Sequence, residues 1–499
     1  MRITNTMMMK QTLRNVGKSK NSLNTAENQL ATEKKITRPS DDPIVAIRAL
    51  SLRSSLSEIE QYLKHNIPDA ESWMDVTETA LDNMDSIFTD IYQYCNQGAS
   101  DQFTVSDRSA IIDVLKQYKT ALYSEANADY AGRYCFTGYK TDSPFTFLST
   151  TTADRKYVIN QNFTREDILT TDVMKGSVDS SAITNIDAAD RPESEEVYRL
   201  RLAYQGCSGS MDDGSTPDFT VTAKDGTETT YTPEAVTRKE FEKLVTDGTF
   251  AGETDKVYYI YDTGELAFTG DLYDSFNNAE SMSYKYQKNS FQVGDPRPEM
   301  YFNCTDITDA ANPIEYTLNA DGQAISYNVN FSQSIQVNSL GKDALSYDIA
   351  RDIDDMCSAL QAVLDVETKL AKLKEMKDSN SYSDTEKAAI ESMITATEEE
   401  HDYAVNSMKK LFSQELTRVK KYQQNVDLEL ADLGARGTRL ALTKSRLSEQ
   451  HTTFSDLKSK NEDVELEDVI IQYSSSQTLY QAALNAASGC VQKSLLDYI

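Results

Sequence analysis

The residues able to do chemistry are few and far apart. Three histidines, His65, His401 and His451, sit in stretches with helical patterning, and six cysteines, Cys95, Cys135, Cys207, Cys304, Cys357 and Cys490, are scattered without a C-x-x-C pair. Neither a zinc cluster nor a compact disulfide framework is expected from that spacing, so the cysteines read as free, mostly buried thiols. There is no H-E-x-x-H, no G-x-x-x-x-G-K-[ST] and no G-x-S-x-G, the runs that place a metal-bound water, a phosphate cradle or an exposed nucleophilic serine. GCSGSMDDGS, residues 206–215, lacks the alternating Asp/Asn ligands of a calcium loop. The one dense acid–histidine cluster, EEEHD at Glu398–Asp402, reads as a solvated helix face rather than a metal site. No catalytic, cofactor or metal site is expected, and the chain does not read as an enzyme.

Charge narrows the partners. The net charge of −29 over 499 residues disfavours nucleic acid and anionic membrane surfaces, both of which select clustered Lys and Arg. No run approaches eighteen apolar residues, and MRITNTMMMKQTLRNVGK lacks the apolar core of a secretory signal, so Sec-type export is not expected.

With chemistry thin, the elements themselves carry the information. From Val45 an apolar seam steps by four and three through Ala49, Leu52, Leu56, Ile59, Leu63, Asn66, Ala70, Trp73, Thr77, Ala80, Met84, Ile87, Ile91 and Tyr94, a heptad pattern in which Pro68 should kink or break the helix. Ahead of it, ITRPSDDP (Ile36–Pro43) is built as a helix stop followed by a start. Pro39 pushes Arg38 out of helical space, Ser40 or Asp41 is placed to cap the next helix, and Pro43 suits its first turn. A second helix, with Ile111, Leu115, Tyr118 and Leu122 on one face, should fold back on the first.

After residue 145 the texture changes to short β-prone runs. FTVTAKDGTETTYT, VYYIYDTGELAF and IEYTLNADGQAISYNV read as three hairpins, with TRKEFEKLV as a helical insert. The helical pattern returns near Asp343, with interruptions expected at KDSNSYSD and LGARGT, and its last seam runs Ile470, Tyr473, Gln477, Tyr480, Leu484, Ala487, Val491, Ser494, Tyr498. Residues 1–40 hold eight basic and two acidic side chains and residues 461–499 six acidic and one basic, which favours pairing of the two ends. The expected fold is mainly α with an inserted β-rich domain, its N- and C-terminal segments forming a long antiparallel helical bundle or coiled coil. Three domains are expected: 1–40 with 463–499, a terminal helix pair; 41–150 with 341–462, a helical rod with an adjoining hairpin; and 151–340, a β-rich outer domain.

MRITNTMM, ATEKKITRPSDDPIVAIRALSLRSSLSEIEQY, GRYCFTGYKTDSPF and the closing SLLDYI resemble the flagellin superfamily over roughly the first 145 and last 100 residues. Pro39, Ser40 and Pro43 stand where filament subunits carry an Arg-Ala-Gly-Asp-Asp-Ala type run, so the resemblance is to the hook–filament junction members. It implies a structural subunit of the bacterial flagellum, exported through the flagellar type III apparatus, forming the layer on which flagellin polymerises. Implied partners are a hook-associated neighbour, flagellin, copies of the chain itself in a ring, and an export chaperone. Arg38, Pro39, Ser40, Asp41, Asp42 and Pro43 become a joint between inner and outer helices, and Leu484, Val491 and Tyr498 assembly contacts. A filament flagellin is one alternative. A secreted protein binding or cleaving carbohydrate on a helical stalk is another, and a middle-domain pocket with converging carboxylates and aromatics would favour it.

Overall fold

The computed structural model describes residues 5–100, 103–148, 155–186, 191–212, 214–318 and 322–490. The chain is mainly helical with a β-rich middle, and it divides into two compact units: Met1–Glu71 with Tyr327–Ile335 and Thr438–Ile499, and Ser72–Ser326 with Gln336–Gly437.

Eleven helices lie among the described residues: α1 (Asn5–Thr32), α2 (Pro43–Gln61), α3 (Ile67–Ala99), α4 (Val105–Glu125), α5 (Arg238–Thr246), α6 (Thr249–Gly252), α7 (Gly270–Asn277), α8 (Gly341–Ala344), α9 (Asp348–Asp378), α10 (Asp384–Glu462) and α11 (Leu466–Cys490). In the first unit, α2 and the start of α3 run antiparallel to the end of α10: Asn461 donates to the Val45 carbonyl at 3.1 Å, His451 meets Glu60 at 3.3 Å and Lys444 meets Glu71 at 2.8 Å. Leu56, Ile59, Ile67 and Ala70 are buried there, as are Leu440 and Leu447.

Pro68 does not break this helix. A π-turn, Tyr62–Asn66, precedes it, with the Ile67 N–H reaching the Tyr62 carbonyl. Widening that turn makes room for a ring that would clash with the carbonyl four residues back. Beside it lies a hairpin of β14 (Ser326–Asn330) and β15 (Gln333–Gln336). Phe331 packs edge-on against Tyr62 with centroids 5.7 Å apart, Asn66 donates to the Asn328 carbonyl at 2.7 Å, and the Tyr327 hydroxyl to Asp69 at 2.6 Å.

In the second unit the seam holds through Trp73, Thr77, Ala80, Met84 and Ile91, all buried, but Phe88 and Cys95 replace Ile87 and Tyr94, which are half-buried. A straight α-helix drifts by about 20° per heptad, so over five or six heptads the buried stripe moves on by one residue. Phe88 meets Tyr422 of α10 at 6.2 Å, and Gln423 donates to Asp85 at 2.8 Å. A Cβ on Gly98 would run into the Phe412 ring, so glycine is what lets that backbone touch the ring. α4, opened by a Thr104–Asp107 capping box, lies on α9 through Arg108–Glu367 at 2.5 Å and Lys119–Asp354 at 2.8 Å, and touches α3 through Tyr118–Asp90 at 3.0 Å. The expected interruption at LGARGT is absent, and α10 runs through it. Gly434 and Gly437 cost roughly 1 kcal/mol each in a helix, a cost that the burial of Leu433 and Leu440 on either side offsets.

Two sheets form the middle. A five-stranded sheet has the order β4 (Ile168–Lys175), β5 (Glu193–Arg201), β10 (Glu265–Phe268), β9 (Val257–Ile260), β8 (Glu234–Val236), and a six-stranded antiparallel sheet β13 (Ile314–Tyr316), β12 (Asn303–Asp306), β3 (Tyr157–Phe163), β11 (Ala279–Lys288), β6 (Phe219–Ala223), β7 (Glu228–Tyr231). Tyr259, Leu266 and Phe268 of the first share one core with Ile159, Tyr284 and Tyr286 of the second. The other face of the first sheet is covered by Phe241 and Val245 of α5 and Phe250 of α6, which is why β9 and β10 are buried throughout and read as solid apolar runs.

Of the three expected hairpins, β6/β7 and β9/β10 form. The third does not. Ile314–Tyr316 pairs instead with β12, and Ser326–Asn330 with β15 across a two-residue loop, a closer partner whose loop is entropically cheaper to close. A small hairpin, β1 (Asp129–Tyr130) and β2 (Arg133–Tyr134), turns on Ala131 and Gly132, both at positive φ as a type I′ turn requires.

Candidate assembly interface

The joint between α1 and α2 lies within the first unit. α1 ends at Thr32, and Glu33 takes the left-handed conformation, φ 57°, that commonly stops a helix. The chain then runs antiparallel to the break between α10 and α11. The Lys35 N–H donates to the Glu462 carbonyl at 2.7 Å, the Val464 N–H to the Glu33 carbonyl at 3.1 Å, and Lys34 pairs with Asp463. Next comes a tight turn, Arg38–Asp41, closed by the Asp41 N–H on the Arg38 carbonyl at 3.0 Å, with Pro39 at its second position. The Asp41 carboxylate accepts from the backbone of Arg38 at 2.9 Å and of Thr37 at 3.2 Å, which holds its pKa below the ordinary value.

Neither Ser40 nor Asp41 caps α2. Asp42 does so, in extended conformation, accepting from Ile44 at 2.9 Å and Val45 at 3.2 Å. With Pro43 as the first helical residue, the capping position is fixed immediately before it. Arg38, Pro39, Ser40, Asp41 and Pro43 are exposed, and Asp42 is half-buried.

Two residues the sequence did not single out tie this joint. The Glu462 side chain, 3% exposed, takes a two-pronged contact from Arg53 at 2.8 and 2.7 Å, with Lys34 at 3.9 Å. No local signal marks a pair 409 residues apart; only the opposed charges of the two ends hint at it.

α1 and α11 pair antiparallel, with Ser22 and Ser476 hydroxyls 3.3 Å apart. The inward stripe of α11 is Val469, Tyr473, Ser476, Tyr480, Ala483 and Ala487; that of α1 includes Val16, Leu23, Ala26 and Leu30. Tyr473, Tyr480 and Ala487 were expected there. Ile470, Gln477 and Leu484 were too, but they are exposed, Leu484 by 43%. Small residues at 476, 483 and 487 let the helices approach, and a two-helix pair covers only one stripe of each. Met7, Leu13, Ile471 and Leu479, each at least 60% exposed, are left outward on the same two helices. Val491 and Tyr498 lie outside the described residues, as does the side chain of Cys490.

The other candidates resolve into structure. Within EEEHD, Glu398 pairs with Lys374 at 3.2 Å, Glu399 with Arg191 at 2.6 Å and Glu400 with Lys369 at 2.8 Å, while His401 stands 3.6 Å from Glu367. Cys95, Cys135, Cys207, Cys304 and Cys357 are unpaired and buried. In the second unit a cavity of about 610 Å³ does bring Asp348 and Glu415 together with Tyr347 and Tyr422. Arg418, on its wall, binds the adjoining Asp352 at 3.0 Å and stands 3.9 Å from Asp348 and Glu415, and the Tyr422 hydroxyl donates to Asp352 at 2.5 Å, while Glu415 Oε2 has no hydrogen-bond partner among the described residues.

Residues 3–141 match the family of the bacterial flagellin N-terminal helical region, so the flagellin resemblance read from the first part of the chain holds over that segment. Two curated relatives, each named flagellar hook-associated protein 3, align with this chain. The one from Salmonella typhimurium is 29% identical over 147 residues, and that from Escherichia coli 29% identical over 153, in each case covering 29% of this chain and 46% of the relative. The chain thus spans about half the length of the curated relatives it matches. The solved flagellar junction protein FlgL from Legionella pneumophila is 11% identical, aligned over 84% of this chain and all of that one, with a TM-score of 0.30, too loose a superposition to carry an argument.

Proposed function

We propose that this chain is a non-enzymatic structural subunit of the bacterial flagellum, set between hook and filament, on whose layer flagellin polymerises. The observation that carries the reading is the α1/α11 pair, which covers one stripe of each helix and leaves Met7, Leu13, Ile471, Leu479 and Leu484 exposed. Neighbouring copies covering that stripe would give it the partner a single chain lacks. In this reading residues 1–40 with 463–499 form the assembly domain, 41–150 with 341–462 the rod, and 151–340 the outward domain. Arg38–Pro43 is the joint, while Leu484, Val491 and Tyr498 are assembly contacts. Its neighbours are a hook-associated protein on one side, flagellin on the other, and its own copies around the ring, after delivery by an export chaperone through the flagellar type III apparatus.

The test is a chain lacking Leu484–Ile499. It should be exported and keep its β domain but fail to incorporate, leaving bare hooks under the electron microscope and flagellin in the medium. Normal filaments grown on the truncated subunit would defeat the proposal.

A further inference from the structure

We propose that a cavity beside Arg351, in the second unit, binds a small organic carboxylate about the size of a sugar ring. The cavity, about 410 Å³, is bordered by β4, β5, α9 and α10. Arg351, on α9, lines it and is only 2% exposed, yet neither its Nε nor its Nη1 has a hydrogen-bond partner among the described residues. Its neighbours also leave their Nε atoms without a partner among the described residues, but each of them holds two carboxylates. Arg199 is shared between Glu265 and Asp355, the latter at 2.8 Å, and Arg201 between Asp352 and Asp355, the latter at 3.0 Å. Two arginines already hold Asp355.

A guanidinium stays charged in proteins, and one buried without an acceptor is costly. Burial accordingly pulls the Arg351 pKa below its usual value. What is missing is an oxygen anion. The remaining lining includes Thr170, Gln205, Ser407 and Gln414, hydroxyls and amides that both give and accept hydrogen bonds, as the hydroxyls of a ring-shaped polyol would need. Arg199, Arg238, Arg351 and Lys410 border the space against Asp172, Glu265 and Asp355, so the lining carries one positive charge in excess, which a single negative charge matches better than the two of a phosphate. A cavity of about 150 Å³ accommodates benzene, and this one falls in the range of small-ligand pockets.

The experiment is isothermal titration of the full-length chain with sodium glucuronate, with glucose and with inorganic phosphate. Glucuronate should bind saturably with a Kd of about 1 mM or tighter, and glucose about tenfold more weakly or worse. Arg351→Met should abolish the glucuronate heat while leaving the melting temperature unchanged or higher, because it removes a buried charge whose Nε and Nη1 have no hydrogen-bond partner among the described residues. Ser407→Phe, which fills the cavity and leaves Arg351 in place, should abolish it too, and it decides the matter if the first variant fails to fold. No saturable binding of glucuronate, equal binding of glucose, tighter binding of phosphate, or binding that survives Ser407→Phe would each overturn the proposal.

Discussion

Replacing Arg53 by alanine should loosen the joint more than replacing its partner, although the two make one contact. The asymmetry follows from burial: the Glu462 side chain is 3% exposed and that of Arg53 55%. Without Arg53 the carboxylate stays buried beside a single cation, Lys34, at 3.9 Å. Stranding one member of a buried pair costs about 3–5 kcal/mol. Water can enter where the half-exposed guanidinium stood and Lys34 remains, so about 2 kcal/mol is the fitting figure. Glu462→Gln keeps the shape and strands only an Arg53 that water already reaches, at about 1 kcal/mol. Hydrogen exchange on peptides spanning residues 33–45 and 459–464 reads this locally, without assuming that a chain of two units melts as one. Opening should become about thirtyfold more frequent in Arg53→Ala and about fivefold in Glu462→Gln, and the double variant should resemble Glu462→Gln alone. A larger effect from Glu462→Gln than from Arg53→Ala, or less than a twofold change in both, would refute the reasoning.

Phe88→Ala, at a site 1% exposed and set against Tyr422, should cost about 3–5 kcal/mol, and the half-buried Ile87→Ala about 1–2 kcal/mol, measured by urea unfolding of the second unit's signal; equal losses would mean that the stripe does not move from 87 to 88. Glu415 is nearly fully buried, and that burial, with Asp352 beside it, raises its pKa well above the usual value. A raised folded pKa stabilises most below the unfolded value and loses that contribution as pH rises through the folded one. Glu415→Gln, which mimics the protonated acid, should therefore gain on the parent as pH rises above the unfolded carboxylate's value of about 4; denaturant midpoints that keep a constant gap as pH rises from there would disprove it.

The parts of the fold legible in the sequence are those governed by period or by a short local signal. Steps of four and three located the buried side of α2 and α3, and Asp-Gly or Thr-Gly set between β-prone arms located β6/β7 and β9/β10. The one-residue drift to Phe88 escaped because a heptad written as text does not unwind, whereas a helix of 3.6 residues per turn does. ADGQ misled because its arms have better partners elsewhere, and LGARGT because two glycines weaken a helix without ending one whose flanks are buried. At the candidate interface the stop–start knot was readable, but not which aspartate caps. Two consecutive aspartates look alike until Pro43 fixes the frame. The apolar character of α11 was equally plain, but which stripe faces inward depends on the small residues at 476, 483 and 487 meeting α1. The Arg53–Glu462 tie and the unsatisfied Arg351 are products of tertiary placement alone.

The wide turn at Tyr62–Asn66 has a further consequence. It stores one residue more than a regular turn, and Ile67, eight residues after Ile59 where a strict heptad would set seven, is buried just beyond it. Pro68 is the latch on that store, because a regular turn would press its ring against the carbonyl four residues back. Losing a residue there therefore draws on slack at the expense of the proline's fit, and the same loss between Trp73 and Ala80, where the turns are regular, has none to draw on and swings Met84, Phe88 and Ile91 by about 100° off their buried side. Tolerance of a change in length along this run of helix is confined to one address, and a single imino acid holds the key.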